Sequence, residues 1–227
     1  MTQAVSRLVW DLPVRATHWM LVLAVAGCWA THYAGVEWFN WHRRLGYVVL
    51  VLVAFRFVWG FVGTRHARFT GFLRGPRVTL QFLRGDTATT VGHNPLGALS
   101  VIALLAVLLL QALTGLFAND EIMNAGPFYG WIAPQLSNRI SAVHGASSNL
   151  QLALIALHLA AVAWYAWAGG QPLVRAMVTG RKPADLVPPA EEIASSRTLL
   201  ALAIVAALVT VLALALEAAP EATIALY

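Results

Sequence analysis

Five runs of nearly unbroken apolar residues, divided by shorter polar stretches, organise this chain. Each approaches or exceeds the ~20 residues that a helix needs to cross a bilayer. The first is expected from about Pro13 to Tyr33, with Asp11 as its cap and Pro13 in its first turn. The second covers about His42 to Val62, and the third runs from after Asn94-Pro95 to about Phe117. The fourth, about Asn138 to Ala168, is long enough to tilt or project. The fifth, Thr198 to Leu216, is Ala, Leu and Val with few exceptions. It carries no ligand type and reads as an accessory helix, about 198–218. The pattern predicts an all-α fold, a polytopic membrane helix bundle forming a single integral domain over residues 1–227.

Composition agrees. Of 227 residues 59% are hydrophobic and 11% are charged, whereas a soluble domain carries about a quarter charged. The placement of charge predicts orientation. Arg65, Arg68, Arg74, Arg77 and Arg84 face only Asp86 between spans two and three. Arg7 and Arg15 precede span one, and Arg175, Arg181, Lys182 and Arg197 follow span four. The opposite side holds Arg43, Arg44 and Arg139 against Glu37, Asp120, Glu121, Glu217 and Glu221. Cytoplasmic loops collect Lys and Arg, so the N-terminus is expected inside and the C-terminus outside.

The remaining segments read more simply. Phe69 to Arg84 alternates bulky apolar groups with arginines and is expected at the cytoplasmic lipid interface, touching headgroups. Pro127 to Trp131 reads as an aromatic belt, and Arg181 to Arg197 as a linker. Topology accounts for the basic balance, and no nucleic-acid motif is present. The single cysteine, Cys28, excludes an internal disulfide, and without C-x-x-C-H no haem is attached covalently. Val25-Ala26-Gly27-Cys28 mimics a lipoprotein cleavage site, but cleavage there would discard His18. Cys28 is read as a small buried filler.

Histidines carry the candidate chemistry. Liganding side chains at membrane depth are costly and mark functional sites. Fourteen residues separate His144 from His158. In a helix that is a rise of ~21 Å and a return to within ~40° of the same face. Two imidazoles so placed suit two stacked haems better than one metal centre. With the orientation above, His42 is level with His144 outside, and His18 with His158 inside. His32 follows His18 by the same fourteen residues and satisfies the geometry as well as His42 does. His66 and His93, in the arginine-rich connection, read as solvated or capping. A zinc or iron cluster is disfavoured, because the spans carry almost no carboxylates. Arg56 shares the His42 face fourteen residues on, with no carboxylate near in sequence. A haem propionate would suit it; the competing reading is extension to inner headgroups. Arg43 and Arg44 flank His42 and could pair with outer propionates. Gly46, one turn from His42, leaves room for a macrocycle. Gly27, Gly97 and Gly115 could equally serve helix packing.

Several motifs resemble the bacterial cytochrome b561 family, which includes hydrogenase b-type cytochrome subunits. They are Pro13-Val14-Arg15-Ala16-Thr17-His18-Trp19, His42-Arg43-Arg44-Leu45-Gly46-Tyr47 with Phe55-Arg56-Phe57-Val58-Trp59-Gly60, Gly92-His93-Asn94-Pro95-Leu96-Gly97, and the His144 to His158 span. The resemblance covers about residues 8–168, a four-helix haem-binding core. It implies two non-covalent b haems with bis-His ligation by His18, His42, His144 and His158, which places His42 ahead of His32. It also gives Arg56 a part.

The expected function is electron transfer across a bacterial inner membrane between quinone or quinol and a periplasmic redox protein, such as a c-type cytochrome or a hydrogenase-like enzyme. The alternative is a self-contained oxidoreductase such as a superoxide:quinone oxidoreductase. A basic funnel outside would favour that reading, and the nearly balanced outer charges weigh against it.

Overall fold

The computed structural model describes residues 5–85, 91–168 and 171–220. Asp86 and Glu221, used above for orientation, lie outside them. Among the described residues five helices are long and apolar enough to cross a membrane. These are α1 (Leu12–Ala34), α2 (Phe39–Val62), α5 (Pro95–Phe117), α6 (Pro134–Trp167) and α8 (Thr198–Glu217). Between α2 and α5 lie two short helices, α3 (Phe69–Phe72) and α4 (Pro76–Leu83). After α6 come α7 (Leu173–Thr179) and a strand β2 (Arg181–Pro183), which pairs antiparallel with β1 (Ser6–Leu8). The chain is an all-α polytopic membrane protein.

Local chemistry explains where the helices start. Asp11 accepts the Val14 amide at 2.7 Å, the expected N-cap of α1. Asn94 does the same for α5 by accepting the Gly97 amide at 2.7 Å. The apolar outer faces of α6 and α8 stay exposed, as faces in contact with lipid do; their backbone groups are satisfied within each helix.

The chain divides into two compact units, each drawing on several helices. The first gathers the described residues of Met1–His18, Arg56–Ala103 and Leu154–Leu202. Here Arg181–Arg197 is not a free linker. Its β2 strand pairs with β1, Ile193 donates to the Leu8 carbonyl at 3.0 Å, and Arg7 donates to the carbonyls of Ala184 and Val187. A left-handed Gly180 (φ 79°) ends α7, and its carbonyl accepts the Val9 and Trp10 amides. Asp11, almost fully buried, also accepts from Trp59 Nε1 at 3.1 Å and Thr64 Oγ1 at 2.5 Å, tying α1 to the end of α2.

The expected interfacial segment divides in two. Phe69 and Phe72 turn inward and are buried, while Val78, Leu80 and Leu83 of α4 stay exposed. Phe69 can lie on α2 because Gly60 has no Cβ, which would collide with its ring.

The second unit gathers the described residues of Trp19–Phe55, Leu104–Ala153 and Ala203–Tyr227. Its connection from α5 to α6 is held by Asn119, whose side chain donates to Ser137 and Asn138 at 2.6 and 2.8 Å. The expected aromatic belt is only partly at the surface. Phe128 is buried against Phe117 and stacked on Trp131 at 4.3 Å, and Trp131 remains half exposed.

Candidate functional site

The first unit contains an imidazole pair from α1 and α6. His18 and His158 are both half-buried, with ring centroids 6.5 Å apart and planes inclined by 55°. Two metal–nitrogen bonds of about 2 Å plus the depth of two rings come to about 6 Å, so one metal fits between them.

Arg56 lies in the same unit. It is buried, with its guanidinium over the rings of Phe69 and Phe72 at 5.4 and 5.9 Å. That position withdraws the headgroup reading. Among the described residues Arg56 Nη1 is enclosed without a hydrogen-bond partner. The carboxylate acting on Arg56 is Asp11, distant in sequence and already holding three donors.

Of the solvated or capping roles expected for the other two histidines of this unit, burial removes the solvated one. His66 is buried, and its Nε2–H donates to the Glu191 carbonyl at 2.8 Å, beside an Arg65–Glu191 ion pair of 2.6 Å. His93 is half-buried between Trp10 and Phe72, each with its ring centroid 4.7 Å away, and its Nδ1 is enclosed without a partner. Burial, and then the basic Arg56, Lys182, His66 and His158, push its pKa down to about 3. The signal missed in the sequence is that a chain segment rich in arginine can still turn a neutral ring inward.

The second unit contains the other imidazoles. His42 Nδ1–H donates to the Cys28 carbonyl at 2.9 Å. That bond settles the tautomer and leaves Nε2 with the lone pair a metal takes. Cys28 therefore contributes its backbone, and its half-buried thiol is secondary. Thr31, whose hydroxyl donates to the Gly27 carbonyl at 2.7 Å, sits 3.4 Å from the same Nδ1.

On α6, His144 is oriented by α5. Thr114 Oγ1 donates to the Leu110 carbonyl and accepts His144 Nδ1–H at 3.0 Å. The Gln111 amide donates to His144 Nε2 at 3.0 Å, and its carbonyl accepts from Ser147. A metal on Nε2 would take the place of that amide contact. A Cβ on Gly115 would sit 3.0 Å from the His144 ring, so glycine makes room for the imidazole. Gln111 and Thr114 were legible as polar residues three apart on one face of an apolar span; no ligand role singles them out.

His32 is exposed and packs among Trp29, Tyr33 and His42, the last at 6.3 Å between centroids. That distance would also admit a metal. His42 differs in being half-buried, in having its tautomer set, and in acting electrostatically on His144. Around it, Arg43 bonds Asn40 at 3.1 Å and keeps an enclosed Nε without a partner, whereas Arg44 is exposed over Trp41. A Cβ on Gly46 would meet nothing within 4 Å. Gly27, by contrast, packs closely on Leu45. Among the described residues, no three His, Cys, Asp or Glu side chains converge on one point.

The donor set of each unit fits a haem. The first brings two imidazoles together across 6.5 Å, the second holds His42 and His144 each by Nδ1, and each has an enclosed arginine nitrogen suited to a propionate. A search of curated proteins and of solved structures found no match to the chain. The sequence pattern of prokaryotic cytochrome b561 matches residues 9–180, about three quarters of the chain. With that match and five apolar helices, the chain belongs to the prokaryotic cytochrome b561 family, multi-pass membrane proteins that bind b-type haem and transfer electrons.

Proposed function

We propose that this protein is a di-haem cytochrome of the bacterial inner membrane, carrying electrons between the quinone pool and a periplasmic redox protein. His18 and His158 hold one haem and His42 and His144 the other, each through two imidazoles. When bound, haem supplies the one-electron iron couple. The carrying observation is the facing of His18 and His158 at 6.5 Å from two different helices.

The protein's own groups set the rest. The Cys28 carbonyl and the Thr114 hydroxyl hold Nδ1–H of His42 and His144, so each ring presents Nε2 and gains basicity as a ligand. Buried Arg56 supplies positive charge where a propionate would otherwise be costly. Gly46 and the enclosed Arg43 Nε suit a macrocycle edge beside His42. In the sequence, fourteen residues separate His144 from His158, a helical rise of ~21 Å. The N-terminus is cytoplasmic and the C-terminus periplasmic, following the arginine bias.

Vesicles test this reading. Purified protein is reconstituted with ferricyanide sealed inside and quinol supplied outside, and both haem absorbance and internal ferricyanide are followed. Quinol should reduce the haem bands, and ferricyanide should be consumed only where protein is present. His158→Ala should stop that consumption. Fully loaded protein that leaves ferricyanide oxidised contradicts the proposal.

A further inference from the structure

We propose that His93 and Arg56 together clamp a propionate of the haem held by His18 and His158. The inference rests on the reading that this unit holds such a haem. The two side chains come from separate elements, α2 and the turn before α5. Each has an enclosed polar nitrogen without a partner among the described residues, Nη1 of Arg56 and Nδ1 of His93. Both lie against one ring, Phe72, at 5.9 and 4.7 Å from its centroid. Phe69 covers the guanidinium and Trp10 closes on the imidazole, two aromatic faces that supply no acceptor oxygen of their own.

Leaving buried donors unpaired costs about 1–3 kcal/mol each, and more for a charged group. One carboxylate has roughly four lone-pair positions and can accept from both. Asp11 does not fill the role: it accepts from Val14, Trp59 and Thr64, and neither enclosed nitrogen hydrogen-bonds to it. The groups acting on His93 are all basic: Arg56 from α2, Lys182 from β2, His66 from the turn after α2, and His158 from α6. They and burial keep the ring neutral at physiological pH. The two partners therefore differ in kind: Arg56 brings charge, and His93 adds direction through a neutral N–H. The inward turn of His93, unexplained by helix capping because Asn94 caps α5, follows from this task.

The test uses the full chain with both haems loaded, comparing His93→Leu and His93→Gln. Two quantities are read: each haem's midpoint potential, and the propionate carboxylate bands in redox-difference infrared spectra. With the donor removed, the propionate charge is less compensated and ferric iron is favoured. His93→Leu should lower the potential of the His18–His158 haem, shift its carboxylate band and leave the other haem unchanged. His93→Gln, which keeps a donor, should stay near the parent in both. Loss of that haem from the Leu variant but not the Gln variant also supports the clamp. Equal disturbance in both variants makes His93 a packing residue and overturns the proposal. So does a Leu variant with parental potentials and bands, including one whose quinol reduction is impaired, which would move His93 to a quinone site. If Arg56→Gln shifts the potential while His93→Leu does not, the clamp fails and the haem reading stands. Parent protein with no haem on His18 and His158 sinks both.

Discussion

His42 Nδ1 and the carbonyl oxygen of Cys28 lie 2.9 Å apart, and this bond joins α2 to α1. It gives His42 a fixed tautomer, which no hydrogen bond among the described residues provides for His32. His42→Ala should therefore lose one haem and keep the other, while His32→Ala retains both. Haem content per chain and visible spectra of the purified variants decide this; the reverse pattern would move the ligand to His32.

Thr114 does for His144 what the Cys28 carbonyl does for His42, but with a side chain that can be replaced. Thr114→Val keeps the shape and removes the acceptor for Nδ1–H. Loss of such a partner typically costs 10–100-fold in metal affinity. Haem-binding titrations should show a weakening of about that size at the His42–His144 site alone.

Arg56 is buried beneath Phe69 and Phe72, so its charge acts in a medium that screens it poorly. Arg56→Gln keeps hydrogen bonding and removes the cation. The surroundings of the iron proposed between His18 and His158 should become more negative, favouring the ferric state and lowering its midpoint potential. A tenfold change in the redox equilibrium is about 59 mV for one electron, and a fall of that order is expected. Redox titration following the two haems separately checks it; unchanged potentials at full haem content would contradict the propionate assignment.

Asp11 links the start of α1 to Trp59 and Thr64. Asp11→Ala leaves three donors in a buried place, and the cap alone is worth about 1 kcal/mol. A destabilisation of roughly 2–4 kcal/mol is expected. Thermal unfolding in detergent should show it, with Thr64→Val costing less.

The five spans were legible because a bilayer demands ~20 apolar residues, and a run such as Thr198 to Leu216 has no competing reading. The cap at Asp11 was legible for the same local reason, since capping is a matter of three residues. What was hidden depends on partners far along the chain. Arg181–Arg197 looks like a linker until β1, about 175 residues earlier, pairs with it. His93 looks solvated until Trp10 and Phe72 enclose it. The Cys28 contribution comes from a backbone carbonyl, which carries no residue-specific signal. Histidine spacing could bring out four imidazoles but not choose between His32 and His42, because helical periodicity reports a face and not a hydrogen-bond partner.

The central claim is two haems per chain, each between two imidazoles, and pyridine haemochrome analysis of the purified protein tests it most directly. The account predicts about two b-type haems per chain, all extractable by acid solvent, with low-spin spectra. One haem per chain in fully loaded protein, or haem that resists extraction, would contradict it.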